Sequence, residues 1–566
     1  MDLNTQRLSS VRGGVVNANL GSFFDGFRVD YWPPHEDQLS LTAQVALSTH
    51  FPVTAAPRSI TSQPMAGYSR DYYNQIHISP IQLDLGNVVS TQTTAVRVWN
   101  AYLQPMTLTE IRDIPEGVQL SGQAEPPQLF RPLQESSWQM AVTPDGQPTL
   151  DDSLIWRFSG GIDAALRITA NRIIAWSFVP DWSASVIERL SAFTGMLISE
   201  SGVEQRRAMR LSPRREFEAQ LLVEGRERQL MDLSLFGWGS RIWALPIWSD
   251  VQQLKSGLAA GGLRVSCDTR ALDLRVGGLA MLRGETAFDQ EVVEVRGLDD
   301  AGLDLARPLQ RSWPPGSRLY PVRTAQLVEQ PTLVRLNDRV QSATVKFQLM
   351  ESSDWNASLP GTSYRGWPVM ELRPDESAEL TQGFQHLLST LDSGMALPLY
   401  TDTAGRALPL LSHRWLGLGR TERAAFRALV YGLQGQQKAI WVPTHADDLT
   451  LVAEVSEVSS TLDVANVGYA RFAQGRPGRR DIRLELIDGT VWHRRITSAS
   501  ELDGETERLA LDAPLGRRIL PSQVARICWL ALCRANSDTV ELEHVNDSEG
   551  LARSALTFRG VRDDEF

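Results

Sequence analysis

The sequence predicts a mostly β, multidomain protein: an immunoglobulin-like β-sandwich followed by a tandem duplication of a β-rich α+β unit. Its 566 residues exceed what one hydrophobic core holds, because domains contain roughly 100–200 residues. Apolar and polar residues alternate in short segments such as 81–85, 95–100 and 106–111, a pattern typical of strands in an antiparallel sandwich. Matching segments that recur in the same order in the last two-thirds of the chain indicate that one unit occurs twice.

These patterns divide the chain into five predicted segments. Residues 1–75 are rich in turn-forming residues and proline, which predicts an arm that becomes ordered by lying on another surface. The connection between the repeats has the Asn, Ser, Pro and Gly composition of a linker. The predicted segments are the extended arm (1–75), the sandwich (76–178), repeat copy one (179–350), the linker (351–373) and repeat copy two (374–566).

The duplication is predicted from matched segments whose spacing drifts slowly while their order never changes. Small loop insertions between two copies of one domain would produce this drift, whereas chance matches would scatter. We expect Trp243 and Pro246 of copy one, and Trp441 and Pro443 of copy two, to lie in the core of the repeat. The matched segments, copy one first, are 180–183 with 374–377, 195–197 with 394–397, 242–250 with 439–447, 305–309 with 511–515, and 345–347 with 556–558.

Local signals predict individual elements within the repeats. Apolar residues recur at three- and four-residue steps over 379–391 and 422–433, which predicts two helices in copy two. Asp-Gly pairs at Asp488 and Asp503, and Gly302 in copy one, stand between alternating segments and predict hairpins.

The composition excludes several classes of function. The net charge of −11 does not suit a protein that tracks nucleic-acid phosphates, and no apolar run is long enough to span a bilayer. The first residues lack a secretory signal, and Cys267, Cys528 and Cys533 match no disulfide framework or zinc pattern, so we expect synthesis in a reducing cytoplasm. Cys528 and Cys533 stand an odd number of residues apart in a predicted strand, on opposite faces.

Arginine and tryptophan are both conspicuous in this composition. Only three of the 56 basic residues are lysines, and there are 16 tryptophans. Arginine can pair bidentately and stack at interfaces, but a GC-rich genome also favours arginine codons, and both explanations remain open. The tryptophans indicate large cores or assembly surfaces.

The sequence contains no recognisable catalytic machinery. Nucleophile-elbow, phosphate-loop, dinucleotide-binding and His-Glu-x-x-His motifs are absent. His445, Asp447 and Asp448 form the best metal-like cluster, but copy one has Trp248 and Asp250 at the places of His445 and Asp447, which favours a solvated loop. We therefore expect no enzyme activity, no cofactor and no metal site.

The densest basic cluster is a candidate subunit interface. Acidic residues alternate with its arginines, which favours ion pairs at an edge over nucleic-acid binding. Its members are Arg206, Arg207, Arg210, Arg214 and Arg215.

Trp238, Trp243 and Trp248 follow one another at steps of five. Odd steps along a strand alternate between its faces, so the three cannot form one sugar-binding stripe. We expect one or two of them in the copy-one core and one at an interface.

Two resemblances to known families follow from these motifs. Segments 83–86, 96–100 and 108–111 resemble the hydin-type immunoglobulin-like modules of cilia, flagella and phage structural proteins. Both repeat copies resemble a family of tailed-phage and prophage virion proteins of the distal tail or baseplate. The segments that carry this second resemblance are 182–190, 202–214 and 237–243 in copy one, and 364–369, 391–394, 426–429 and 441–444 in copy two. Copy one lacks the Tyr-x-Gly-x-Pro entry of copy two.

The second resemblance implies a non-catalytic subunit of a long, non-contractile tail, repeated as a homo-oligomeric ring near the tail tip. The implied partners are other tail proteins such as the tail tube, hub, tape measure or receptor-binding protein, with no nucleic acid and no membrane insertion. The implied location is the virion tail, assembled in the host cytoplasm. Two alternatives remain: a carbohydrate-binding adhesin, and a metal-dependent hydrolase that uses the histidine and aspartates near residue 445.

Overall fold

The computed structural model describes residues 72–88, 91–144, 147, 149–377 and 379–562. Almost all of the predicted arm, residues 1–71, lies outside the described residues. Strands dominate the described chain and form several sheets, which confirms the prediction of a mostly β, multidomain protein.

The first part of the described chain is a β-sandwich of two sheets. One sheet has the order β1-β3-β7-β5 and the other β2-β9-β8-β4-β6. These strands are β1 (Ile76–Ser79), β2 (Gln82–Val88), β3 (Gln92–Asn100), β4 (Met106–Arg112), β5 (Val118–Ser121), β6 (Gln128–Phe130), β7 (Glu135–Val142), β8 (Thr149–Phe158) and β9 (Ile162–Arg172).

Aromatic side chains fill the space between these sheets. The rings of Trp138 on β7 and Trp156 on β8 lie 6.1 Å apart, although the two strands belong to different sheets. Phe130 and Phe158 pack edge to face in the same core. Alternation along β7 and β8 explains this arrangement, because every second side chain points inward. The assignment to the immunoglobulin-like class stays a prediction.

The next part of the chain forms the first repeat unit. Its elements are β10 (Ile174–Ala175), β11 (Val186–Ser191), β12 (Thr194–Ile198), β13 (Glu204–Ala208), β14 (Arg214–Glu224), α1 (Gly225–Trp238), β15 (Ile242–Pro246), a 3₁₀ turn (Trp248–Asp250), β16 (Gln252–Gln253), β17 (Arg264–Ser266), β18 (Leu279–Arg283), β19 (Gln290–Asp299), β20 (Gly302–Leu305), β21 (Arg318–Leu327), β22 (Leu333–Arg335) and β23 (Val340–Leu349).

The last part forms the second repeat unit. Its elements are β24 (Ser363–Tyr364), β25 (Trp367–Pro368), β26 (Thr381–Gln385), β27 (Leu388–Leu391), β28 (Leu399–Asp402), β29 (Leu408–Leu418), α2 (Gly419–Leu433), β30 (Ile440–Pro443), β31 (Thr461–Ala465), α3 (Tyr469–Phe472), β32 (Asp481–Leu486), β33 (Val491–Glu501), β34 (Thr506–Leu511), a 3₁₀ turn (Pro521–Gln523), β35 (Val524–Ala535), β36 (Thr539–His544) and β37 (Leu551–Gly560).

The two repeat units share one strand connectivity. Copy one contains the antiparallel pairs β11·β14, β12·β13, β14·β23, β15·β21, β17·β20, β18·β19, β18·β21, β19·β20, β21·β23 and β22·β23. Copy two contains, in the same order, β26·β29, β27·β28, β29·β37, β30·β35, β31·β34, β32·β33, β32·β35, β33·β34, β35·β37 and β36·β37. One register shift also recurs, in β19·β20 and in β33·β34, whereas the shift in β32·β35 has no counterpart in β18·β21.

Strand register defines which residues of the two units are equivalent. Phe217 pairs with Phe347 between β14 and β23, and Leu411 pairs with Phe558 between β29 and β37. The helix that follows begins in both units at a glycine with positive φ, Gly225 in α1 and Gly419 in α2.

Several local predictions can be compared with these elements. Helix α2 confirms the helix predicted over 422–433, and hairpins form at Asp488, at Asp503 and around Gly302. The helix predicted over 379–391 is wrong, since this segment forms β26 and β27. Short leucine-rich runs fit either period, and pairing of β26 with β29 selects the strand.

The predicted linker, 351–373, is packed against copy two along part of its length. Val369 forms a parallel bridge with Trp441, as Ala175 of β10 does with Ala244 in copy one. Val369 and Met370 are buried. The shared pairing pattern therefore begins before the predicted boundaries of both copies.

Candidate functional site

The two repeat units meet where a strand of one unit pairs with a strand of the other, so that one sheet continues through both units. We call this contact the junction. Strand β11 of copy one pairs on one side with β14 of its own unit and on the other with β36 of copy two. The ladder with β36 is antiparallel and runs from Val186 opposite His544 to Ser191 opposite Thr539. Backbone hydrogen bonds therefore join the units head to tail.

A buried carboxylate on β11 lies at the centre of the junction. Glu188 is fully buried and accepts hydrogen bonds from Arg215 Nε at 2.6 Å and from Arg427 Nη2 at 2.8 Å. His544 Nε2 lies 2.9 Å from the same carboxylate. Arg427 on α2 and His544 on β36 belong to copy two, so both units contribute to the cluster.

Copy one extends this cluster with a second buried acid. Asp273 accepts hydrogen bonds from Arg215 and from Arg323, whose Nε lies 3.1 Å from Oδ2. All three side chains are buried. Because an unpaired buried charge is costly, the arginines and acids hold one another in fixed positions.

The electrostatics of the cluster favour the charged forms of its two acids, Glu188 and Asp273. Burial alone would raise the pKa of Glu188, but Arg215 and Arg427 outweigh it and hold that pKa well below its usual range. Burial also acts against the charged form of Asp273, yet Arg215 and Arg323 lower its pKa. Burial lowers the pKa of His544, which leaves the imidazole neutral at pH 7.

The β12·β13 hairpin of copy one adds a second ionic contact with copy two. Glu204 on β13 lies 2.6 Å from Arg206 Nη2 and 3.4 Å from Arg534 Nη1, and Arg559 also contacts it. Arg206 Nη1 donates to the backbone oxygen of Gln436 at 2.8 Å. Arg534, Arg559 and Gln436 belong to copy two, so the hairpin is fixed on that unit.

Asp538 of copy two holds the start of the same hairpin. Its carboxylate accepts hydrogen bonds from Thr194 N at 2.8 Å and from Thr194 Oγ1 at 2.7 Å. It also accepts one from Gln436 N at 3.1 Å. This carboxylate therefore connects the hairpin of copy one with the end of α2.

The structure corrects part of the predicted arginine interface. Arg215 is buried between Glu188 and Asp273, and the Arg206 side chain is buried between Glu204 and Gln436, so neither is available to another subunit. Their carboxylate partners lie within the chain: Glu204 for Arg206, and Glu188 with Asp273 for Arg215. Arg207, Arg210 and Arg214 remain at least partly accessible and stay candidate interface residues.

The residues predicted for the repeat core occupy buried positions. Trp243 and Pro246 on β15, and Trp441 and Pro443 on β30, are all buried. Trp238 and Trp248 are buried as well. The three tryptophans of copy one therefore provide no exposed platform for a sugar ring.

The predicted metal-like cluster does not gather into a coordination site. Among the residues that the structure describes, no group of three His, Cys, Asp or Glu side chains could hold a metal ion. His445 is buried, and its burial, beside His413 and Arg483, lowers its pKa to about 3. Asp447 is exposed, whereas Asp448 accepts hydrogen bonds from Thr444 and the Trp529 amide.

The predicted strand around Cys528 and Cys533 is confirmed as β35, and both cysteines are buried on it. Burial raises the pKa of the Cys528 thiol to about 11. Such a thiol is poorly suited to metal binding or nucleophilic attack at neutral pH.

Sequence reasoning missed the centre of the junction. Glu188 occupies an inward position of an apolar alternation that includes Val186 and Leu190, and Arg215 does so two residues before Phe217. A charged residue in the apolar phase of a strand is the signal that could have indicated a buried ion pair.

Comparisons with known proteins add little to this description. No family model matches the chain, and no curated protein matches it. Among solved structures, the crystal structure of the E. coli chaperone DraB is similar to 26% of this chain and 89% of its own, at 9% identity and a TM-score of 0.13. No helix in the described ranges is long and apolar enough to cross a membrane.

Proposed function

We propose that this chain is a non-catalytic structural virion protein, a ring subunit of a phage tail tip or baseplate that connects the tail tube to the hub or receptor-binding parts. The observation that carries the proposal is the head-to-tail joining of two units with the same connectivity through β11 and β36. Head-to-tail contacts generate rings when the rotation between units closes. The assignment to a phage tail comes from the sequence resemblance.

The chemistry of the junction supports a permanent building block. Buried ion pairs and a six-residue ladder, Val186 to Ser191, hold the two units together. Such contacts fix orientation, which a ring subunit needs at each position around an axis.

Two measurements test this function. Purified virions should contain the chain, and antibody-labelled particles should carry it at the tail tip in electron micrographs. The purified chain should sediment as a closed oligomer of defined size. A chain that is absent from virions and remains a monomer at every accessible concentration would remove the proposal.

A further inference from the structure

The junction predicts a second contact, because each of its two surfaces has an equivalent elsewhere in the chain. Copy one contributes β11 to the junction, and β26 is its equivalent in copy two. Copy two contributes β36 and α2, whose equivalents in copy one are β22 and α1. Within the described ranges, β26 pairs only with β29 and β22 only with β23, so each leaves one strand edge open.

The equivalence is fixed residue by residue through strand register. Leu190 on β11 lies opposite Arg215, and Phe384 on β26 lies opposite Pro409. Arg215 and Pro409 are equivalent, because each stands two residues before the equivalent residues Phe217 and Leu411. Leu190 is 1% exposed, because it packs into the core of copy two beside Val430. Phe384 is 58% exposed. A position buried by the junction in copy one is therefore an exposed aromatic ring in copy two.

The other surface of the junction, formed by β36 and α2, shows the same contrast with its equivalent in copy one. Val430 and Phe236 are each the twelfth residue of a helix that begins at a glycine with positive φ. Val430 is 7% exposed under Leu190, whereas Phe236 is 94% exposed. Leu233, one turn earlier on the same face of α1, is also exposed, and its equivalent is the buried Arg427.

Further exposed apolar side chains border both open edges. Tyr400 on β28 is exposed, while its equivalent on β13, Arg206, is buried against copy two. Val334 on β22 and Leu336 just after it are exposed beside the open edge. Exposed apolar side chains grouped beside an open strand edge indicate an interaction site in a soluble protein.

We propose that β26 and the β27·β28 hairpin of one chain dock on β22 and α1 of a second copy of this chain, repeating between chains the junction that exists within each chain. The inference rests on the proposed ring and specifies which surfaces form it. Ile187 pairs with Glu543 in the junction. Strand register makes Thr381 the equivalent of Ile187 and Val334 the equivalent of Glu543. Thr381 of one chain therefore pairs with Val334 of the next. Phe384 then packs on Phe236.

The proposed contact between chains differs from the junction at several residues, and these differences suit an interface that forms after each chain has folded. The buried charges Glu188 and Arg427 are replaced by Gln382 and Leu233, so association does not require burying ions. Pro331 stands where copy two has Val540, and it removes one donor from the interchain ladder. Repetition of the contact generates a ring with two repeat units for each chain when the rotation between units closes.

Cysteine cross-linking tests the register directly. Two full-length chains, both carrying Cys267→Ser, receive Thr381→Cys in one and Val334→Cys in the other, and they are co-expressed and oxidised with diamide. We expect disulfide-linked dimers from the mixture and none from either chain alone, because the contact is head to tail. The double variant Ile187→Cys and Glu543→Cys is the matched control, which should form the same bond inside one chain.

A second variant tests whether this contact holds the oligomer together. Phe236→Asp places a charge at the centre of the contact, and we expect at least ~30-fold weaker association by sedimentation, as for an interface hot spot. Phe472→Asp, on the exposed face of α3, should assemble like the unaltered chain. Circular dichroism of both variants should match that of the unaltered chain, because both side chains are exposed.

The outcomes distinguish the two proposals. If rings form, but the mixed cysteines do not cross-link and Phe236→Asp assembles normally, this interface is wrong and the ring proposal stands. If the chain is a monomer and absent from virions, both proposals fail.

Discussion

A single side chain, Glu188, contacts basic groups from both repeat units. Arg215 reaches it from the neighbouring strand of copy one and Arg427 from the helix of copy two. Replacing a buried ion cluster by apolar residues can be neutral, but removing one member leaves uncompensated charge in the interior. The position is therefore sensitive to small chemical changes.

Glu188→Gln tests this sensitivity with almost no change in shape. We expect the free energy of unfolding to fall by about 3–5 kcal/mol, because Arg215 and Arg427 lose their shared counter-charge. Urea denaturation of the full chain measures it. Glu541→Gln is the control: its carboxylate pairs with Arg189 at 2.6 Å but is about half exposed, so the loss should stay below about 1 kcal/mol. Equal losses for the two variants would contradict the buried-cluster interpretation.

Among the elements, the strand-to-helix turn before α1 and α2 is the most clearly repeated feature. Gly225 has φ +55° and Gly419 has φ +75°, in the left-handed region where a side chain is strained. The chain must turn sharply there, because each helix packs back on the strand that precedes it.

Two glycines of α1 should respond to alanine in opposite directions. Gly225→Ala should lower the free energy of unfolding by about 1 kcal/mol, since its positive φ disfavours a Cβ although no atom lies within 4 Å. Gly237→Ala should raise it by up to about 1 kcal/mol, because this helical position is also open and alanine favours the helix. Thermal unfolding of both variants measures the difference, and a shift of the same sign in both would refute the assignment of strain to Gly225.

At the scale of the whole molecule, two buried histidines and the half-buried His493 make stability depend on pH. Burial lowers the pKa of His413 to about 4, and burial together with neighbouring charges lowers the pKa of His445 to about 3 and that of His493 to about 4. Each imidazole has a pKa near 6.5 once it is exposed by unfolding. Between those values the unfolded chain binds more protons than the folded chain.

Stability should therefore fall as the pH is lowered from 6.5 towards 4, by up to about 1.4 kcal/mol per pH unit for each of these imidazoles. Glu188 and Asp273 add a further loss at lower pH, because their carboxylates must be protonated against a lowered pKa. Urea denaturation at pH 7, 6 and 5 measures the slope, and His413→Leu should reduce it. A stability that does not change between pH 7 and 5 would contradict this prediction.

The amino-acid sequence alone determined the fold class and much of the element pattern. Alternation of apolar and polar residues is a local property. Strands such as β35, and hairpins at Asp488 and Asp503, could therefore be predicted from short segments of the sequence. The order of matched segments likewise indicated a repeated unit, although strand register makes 389–391, and not 394–397, the equivalent of 195–197.

Only the tertiary structure decided which charged residues are buried and which strand edges stay open. Arg206 and Arg215 look like surface residues in the sequence, although Glu204 stands only two residues from Arg206. The contacts that bury these ion pairs come from copy two, where Gln436 contacts Arg206 and Arg427 contacts Glu188. The segment 379–391 became two strands rather than a helix because β29 pairs with β26 and β28 pairs with β27. Long-range pairing depends on the arrangement of the whole chain, which no local pattern encodes.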